Sequence, residues 1–387
     1  MIRYKRTAAA LAIPCLIYMA LIYSCKKNKE VIIEPDPLAA LNLPSTPFNY
    51  ANQPLPAFFN APNITGADNT PAGEPVTDWG ATLGRVLFYD KILSINNSIS
   101  CASCHKQAFG FSDDATFSKG FANGLTGRNS MSLINARYYP NGRFFWDERA
   151  ATLKIQTLTP VQDHVEMGMN LDTLVARLKI KSHYPVLFQK AFSTQDITSD
   201  RIAAALAQFV RSIISYQSKF DVGRAQILPP ANPVQTPYPN FTIQENLGKQ
   251  LFFGPQTACA TCHGTETFTA PGPRNNGLEN PAVDAGVGGV TLVPAQNGLF
   301  KVPSLKNIAL TAPFMHDGRF TTLEQVVEHY NSGVQAHPNL APQLKNPDGS
   351  PKRLNLTANE KAALVAFLNT LTDNAIGSDE KFGNPFK

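Results

Sequence analysis

Cysteine, tryptophan and histidine are scarce in this 387-residue chain, at six, two and seven residues, so the positions of the few that occur are informative. Charge of one sign is lacking as well. Lys and Arg number 34 against 29 Asp and Glu, a formal +5. Arg3, Lys5 and Arg6 lie in a segment expected to be removed, and without them the balance is +5 − 3 = +2. So weak an excess excludes a polyanion partner, and no nucleic acid is expected. Period-two alternation is missing too, which argues against a sheet protein. What is there, 43% hydrophobic and 16% charged residues, describes a globular chain long enough for two ordinary domains.

The N-terminus is basic, Met-Ile-Arg-Tyr-Lys-Arg, followed by an apolar stretch from Thr7 to Ser24 and then Cys25. This order is that of a bacterial lipoprotein leader, cleaved and lipidated at the cysteine. A retained anchor is the competing reading, since the stretch approaches spanning length. Either form exports the body of the protein, so a periplasmic location with membrane attachment through Cys25 is expected, with the membrane and face left open. Residues 26–75, rich in Pro, Asn and Ala, are expected to be a flexible tether after a 1–25 signal peptide.

Cys15 and Cys25 belong to the leader. The other four form two copies of Cys-x-x-Cys-His: Cys101, Cys104 and His105, then Cys259, Cys262 and His263. Disulfides, redox pairs or zinc half-sites would explain the cysteines but not a histidine directly after each second one. The pattern is that of covalent haem c attachment, in which two thioethers hold the porphyrin and the adjacent imidazole reaches the iron. Two covalently bound haem c groups are expected.

The surroundings repeat. "LGRVLFYD" (Leu83 to Asp90) precedes the first site and "LGKQLFFG" (Leu247 to Gly254) the second. Two related haem domains are implied, 76–235 and 236–387, with the boundary in the proline-rich "LPPANPVQTPYPN" (Leu228 to Asn240). Ile202, Leu206, Phe209 and Ile213 follow a helical stripe, and Thr357 with Glu360 forms a capping box ahead of Leu364, Phe367, Leu368 and Leu371. The expected fold class is mainly α, two cytochrome-c-like haem domains with long loops around the cofactors.

Together with "GRFFWDERA" (Gly142 to Ala150), "QTLTPVQDHVEMG" (Gln156 to Gly168) and "VPSLKNIALTAPFMHDGRF" (Val302 to Phe320), the two attachment sites make the chain resemble the bacterial di-haem cytochrome c peroxidases and their relatives, the methylamine-utilisation di-haem oxidases. The resemblance runs from about Trp79 to Asp373. It implies that hydrogen peroxide reacts at the first haem and that the second receives electrons from a small cytochrome c or cupredoxin. It assigns Trp146 to the space between the haems, Glu166 as the base that moves a proton on bound peroxide, and Gln156 and Pro160 to the same pocket. It matches Asn129, Thr311 and Pro313 to a calcium site, the last two through backbone oxygens, a donor type that suits calcium. Without the resemblance, Trp146 reads as a packing residue and Glu166 as a solvated loop carboxylate.

Two departures from the peroxidase pattern stand out. Phe121 occupies the place of a loop histidine that blocks the first iron in typical members, and no histidine occurs between His105 and His164. The first haem is therefore expected to be open when fully oxidised, unless Met131 ligates it. On the far side of the second haem, "TTLEQVVEHYNSG" carries Tyr330 where those peroxidases have methionine. A capping box of Thr321 and Glu324 is expected to start this helix, placing Leu323, Val326, Val327 and Tyr330 on one face. Tyr330 is the expected iron ligand, with Met315 and His329 as alternatives. Tyrosine is the ligand in the methylamine-utilisation relatives.

The reading is thus a cytochrome c peroxidase. An oxidase acting on a protein or organic substrate is the first alternative. A non-catalytic electron-transfer lipoprotein is the second, disfavoured because a pure carrier gains nothing from an open iron beside a proton shuttle. The oligomeric state, a homodimer included, is left open.

Overall fold

A computed structural model describes residues 36–387, so the leader, Cys15, the lipidation call at Cys25 and the first part of the expected tether lie outside the described residues. Six helices position the two sites: α1 (Asp78–Tyr89), α2 (Leu153–Gln162), α3 (Ser199–Ser212), α4 (Ile243–Phe253), α5 (Leu323–Glu328) and α6 (Ala358–Asn369). Among the described residues β structure is confined to isolated bridges such as Phe144 with Ala150 and Phe314 with Phe320. The mainly helical expectation agrees with this.

The two "LG" segments make the same helix crossing twice. α1 starts at Thr77, whose hydroxyl accepts from Gly80 N, and α4 starts at a capping box of Thr242 and Glu245. A Cβ on Gly84 would sit 2.0 Å from the carbonyl oxygen of Ala205 and 2.7 Å from Phe209 Cβ on α3. A Cβ on Gly248 would sit 1.9 Å from the carbonyl oxygen of Ala363 and 2.8 Å from Phe367 Cβ on α6. Only glycine allows backbones this close. Around these crossings Leu83, Val86, Leu87, Ile202, Leu206 and Phe209 are buried in the first half, and Leu251, Phe252, Leu364 and Phe367 in the second. Each such side chain contributes ~1.5–3 kcal/mol on burial.

Three expectations about the chain's organisation need correction. Residues 41–75 are not a flexible tether: Tyr50, Phe59 and Ile64 are at most 3% exposed, and Phe59 packs edge-on against Tyr138 at 5.6 Å. A few aromatic anchors outweigh the Pro/Asn composition, because each buries a large apolar area. The capping box of α5 is Thr322 with Gln325 rather than Thr321 with Glu324, since the Gln325 amide oxygen accepts from the N–H groups of both Thr321 and Thr322. Beyond Glu328 the chain widens into a π turn, His329–Gly333, so the straight helical repeat assumed through Tyr330 does not apply.

The last residues return to the first half. Tyr89 Oη donates to Phe382 O at 2.7 Å, Arg85 to Glu380 O at 2.8 Å, and Leu41 bridges to Phe386. Residues 40–387 are one compact unit. Its proline-rich stretch near 228–240 is held by Lys249, whose Nζ donates to the carbonyls of Pro233, Val234 and Thr236 at 2.8, 2.8 and 2.9 Å. No helix among the described residues is long and apolar enough to cross a membrane.

Candidate active site

Each attachment histidine is oriented by one backbone carbonyl. His105 Nδ1 donates to Phe111 O at 3.0 Å and His263 Nδ1 to Phe268 O at 2.9 Å. Both phenylalanines have left-handed backbone, φ +58° and +54°, which turns the chain back over the imidazole. With Nδ1 occupied as a donor, Nε2 keeps its lone pair for a metal. Burial pushes His263 down to about 4 and lowers His105 as well, so both rings stay neutral at ordinary pH.

Cys101, Cys104, Cys259 and Cys262 form no disulfide with one another, and among the described residues no group of three or more His, Cys, Asp or Glu is placed to hold a metal ion. The disulfide and zinc readings therefore have no support. Two cavities are lined by attachment residues, Cys104 and His105 in one and Cys259, Cys262 and His263 in the other. The first is lined by Cys104, His105, Met131, Trp146, Gln156, Pro160 and Glu166, among others. The second is lined by Cys259, Cys262, His263, Met315, Tyr330 and an apolar wall including Leu323, Leu364 and Leu368. An imidazole lone pair with one lining thiol in the first cavity and two in the second fits a covalently attached haem in each.

In the first cavity Gln156 and Pro160 come from α2, one turn apart, and Glu166 from the loop that follows. Burial pushes Glu166 up to about 7, with Asp163 adding to the rise and Arg149 opposing it. Phe121 does not border the cavity. Its backbone N donates to Glu166 O at 2.8 Å, and its ring lies where a Cβ on Gly168 would be, 2.6 Å from that position. Among the described residues His105 is the one histidine lining this cavity.

In the second cavity Tyr330 and Met315 both line the wall, whereas His329 is turned away and donates from Nε2 to Asn276 O at 3.0 Å. Burial pushes the Tyr330 hydroxyl up to about 12, so it remains protonated unless a cation lies against it. Met315 Sδ accepts from Asn276 Nδ2 at 3.5 Å. Trp146 borders both cavities; its Nε1 donates to Asn129 O at 2.9 Å, and its own carbonyl accepts from Lys301 N at 2.8 Å. Asn129, Thr311 and Pro313 all border the second cavity.

A second layer of repetition appears only in three dimensions. The bridge from Phe144 to Ala150 matches that from Phe314 to Phe320, Thr152 and Thr322 then cap α2 and α5, and Leu153 and Leu323 open them. Counted in this register Pro160 of the first half corresponds to Tyr330 of the second, Pro160 lying within α2 and Tyr330 in the π turn that follows α5. Sequence reading missed this pairing because Pro and Tyr share no chemistry. It also missed the Phe111 and Phe268 carbonyls, which lie six and five residues after their histidines and so escape a fixed spacing.

Two stretches, 79–226 and 243–376, match the profile of the di-haem cytochrome c peroxidase family, and the chain belongs to that family. Its members carry two haems of c type. The chain is 33% identical over 307 residues to the methylamine utilization protein MauG of Methylorubrum extorquens, covering 78% of this chain and 80% of that protein. It is 34% identical over 255 residues to the cytochrome c551 peroxidase of Nitrosomonas europaea, covering 64% and 71%. Among solved structures it superposes with a TM-score of 0.74 and 31% identity on a MauG-like protein associated with microbial copper homeostasis, covering 86% of this chain and 99% of that one.

Proposed function

We propose that this chain reduces hydrogen peroxide to water at the first-half haem, with two electrons delivered through the second half from a small cytochrome c or cupredoxin. The observation that carries the reading is Glu166: a half-buried carboxyl pushed up to about 7, lining a cavity whose one histidine among the described residues is the attachment histidine His105. Bound haem supplies the peroxide-binding iron and the electrons. The protein's part is proton handling. The Glu166 carboxylate takes a proton from one peroxide oxygen and returns it to the other, which leaves as water, and a pKa near working pH suits both transfers. Gln156 is a hydrogen-bonding group in the same cavity, and Pro160 contributes bulk with no donor or ligand. Trp146, bordering both cavities, provides an aromatic path between the halves.

Tyr330 would serve with His263 as a protein ligand to the second iron, a reading supported by its place in the cavity wall and by the turned-away His329. This residue favours one second reading, an oxidase acting on a protein or organic substrate, because an anionic oxygen ligand favours higher iron oxidation states than methionine does. Asn129, Thr311 and Pro313, which supply only neutral oxygens, are the proposed calcium donors. Export and attachment through Cys25 complete the proposal.

Mixing the fully oxidised protein with peroxide separates these readings. Rapid spectral change without prior reduction, reversed by reduced cytochrome c, is expected. A long-lived product that ignores cytochrome c overturns the peroxidase reading in favour of the oxidase, and no reaction until the protein is reduced removes the open-site assignment.

A further inference from the structure

Three cations line the first cavity: Arg128, Arg149 and Lys301. Arg128 pairs with Asp147 and Asp284, at 2.6 and 2.7 Å, and Arg149 with Asp147 at 3.0 Å. Lys301 has no carboxylate. It is 7% exposed, and its ammonium lies 4.0 Å from the centroid of the Tyr139 ring and 3.6 Å from Met131 Sδ, a weak acceptor. The nearest acid, Glu148, is already engaged by the Tyr139 hydroxyl and by Asn141 Nδ2 at 2.7 Å. Burial pulls the Lys301 pKa down to about 8, the expected response of an ammonium stripped of water without an oxygen partner.

A buried charge kept without a partner costs several kcal/mol, so a site that retains one is completed by an anion. The Tyr139 ring and Met131 Sδ occupy two sides of the ammonium, and Lys301 lines the cavity from which an anion can reach it. Lys301 and Met131 border both cavities, and Tyr139, whose ring faces the ammonium, lines the first, which points the ammonium toward that one.

We infer that Lys301 is the anchoring cation for a propionate carboxylate of the first-half haem and raises that haem's reduction potential. This rests on the haem reading but not on peroxide turnover. A positive charge beside the porphyrin stabilises the reduced iron, which carries one unit less charge than the oxidised one. Its removal also leaves the propionate uncompensated, which acts in the same direction. Because Lys301 N donates to the Trp146 carbonyl, the same residue ties the cofactor's rim to the tryptophan between the cavities.

The test is a spectroelectrochemical titration of the di-haem holoprotein, full chain, as wild type, Lys301→Gln and Lys301→Arg. Lys301→Gln is expected to lower the equilibrium constant for reducing the first haem about tenfold, ~59 mV for one electron, leaving the second haem's potential within a few-fold. Lys301→Arg is expected to restore most of the loss. Attached haems with an unmoved first potential in Lys301→Gln overturn the inference, as does a drop shared equally by both haems. A crystal structure of the wild-type holoprotein tests it even if the variants fail to fold. A propionate oxygen within ~4 Å of Lys301 Nζ is expected, and its absence rejects the anchor. A protein inactive toward peroxide that shows the shift would sink the peroxidase proposal alone.

Discussion

The first and second halves hold their histidines in the same way and differ in what faces them. Gly84 against Ala205 and Phe209, and Gly248 against Ala363 and Phe367, make one crossing twice, and each histidine leans on a left-handed phenylalanine carbonyl. Opposite the imidazoles the likeness stops. Where the π turn after α5 brings Tyr330, α2 has Pro160, which offers no ligand atom, and the loop after α2 adds Glu166. The duplicated scaffold presents the same attachment residues twice, and under the proposed function the exchange of Pro160 for Tyr330 is what separates a site open to an incoming molecule from one filled by a protein ligand.

The largest expected effect on this contrast comes from Glu166→Gln. With the proton shuttle gone, peroxide turnover should fall by a factor on the order of 10²–10⁴, while both haems remain attached as measured by their absorption after denaturation. Retained turnover would remove the chemical distinction drawn for the first half.

Gly84→Ala and Gly248→Ala probe the shared scaffold. Each puts a methyl about 2 Å from a carbonyl oxygen, so each should destabilise by ~1–3 kcal/mol in denaturant titrations of the holoprotein. A tolerated substitution at one site only would show that the two crossings are not equivalent.

Tyr330→Met tests the second half. Exchanging an oxygen donor for a thioether should raise the second haem's potential and change its ferric spectrum, whereas Met315→Leu should leave both nearly as they were. If Met315→Leu makes the larger change, the thioether and not the phenol is the ligand.

The smallest effect is in pH dependence. Glu166 acts as a base in its ionised form, and its pKa lies at about 7. The rate with peroxide should therefore be level above that pH and fall roughly tenfold per unit below it, a fall expected to be absent in Glu166→Gln.

Much of the arrangement was legible because it rests on short-range chemistry. Cys-x-x-Cys-His needs its residues adjacent, Leu-Gly-x-x-Leu-Phe writes a close crossing into five or six positions, and Thr357 with Glu360 caps α6 as read. What was not legible depends on contacts distant in sequence. Residues 41–75 look like a tether until Tyr50 and Phe59 find the core, and the shift of the α5 cap by one residue turns on which hydrogen bonds Gln325 completes. Lys301 carries no local mark, since a lysine before Val-Pro reads as a surface charge until its neighbours are known.

The segment that closes the first half lies near the C-terminus, in the turn Glu380–Phe382 and the residues before it. Phe382 stands among Tyr50, Phe111 and Phe209, and Gln107, two residues past His105, donates to the carbonyls of Ile376 and Asp379. A polypeptide emerging from its N-terminus thus presents the first thiol pair long before the segment that packs against Phe111 and Gln107 beside it has been synthesised. Trimming a dozen residues from the C-terminus, or a bulky tag fused there, would injure the opposite end of the molecule first.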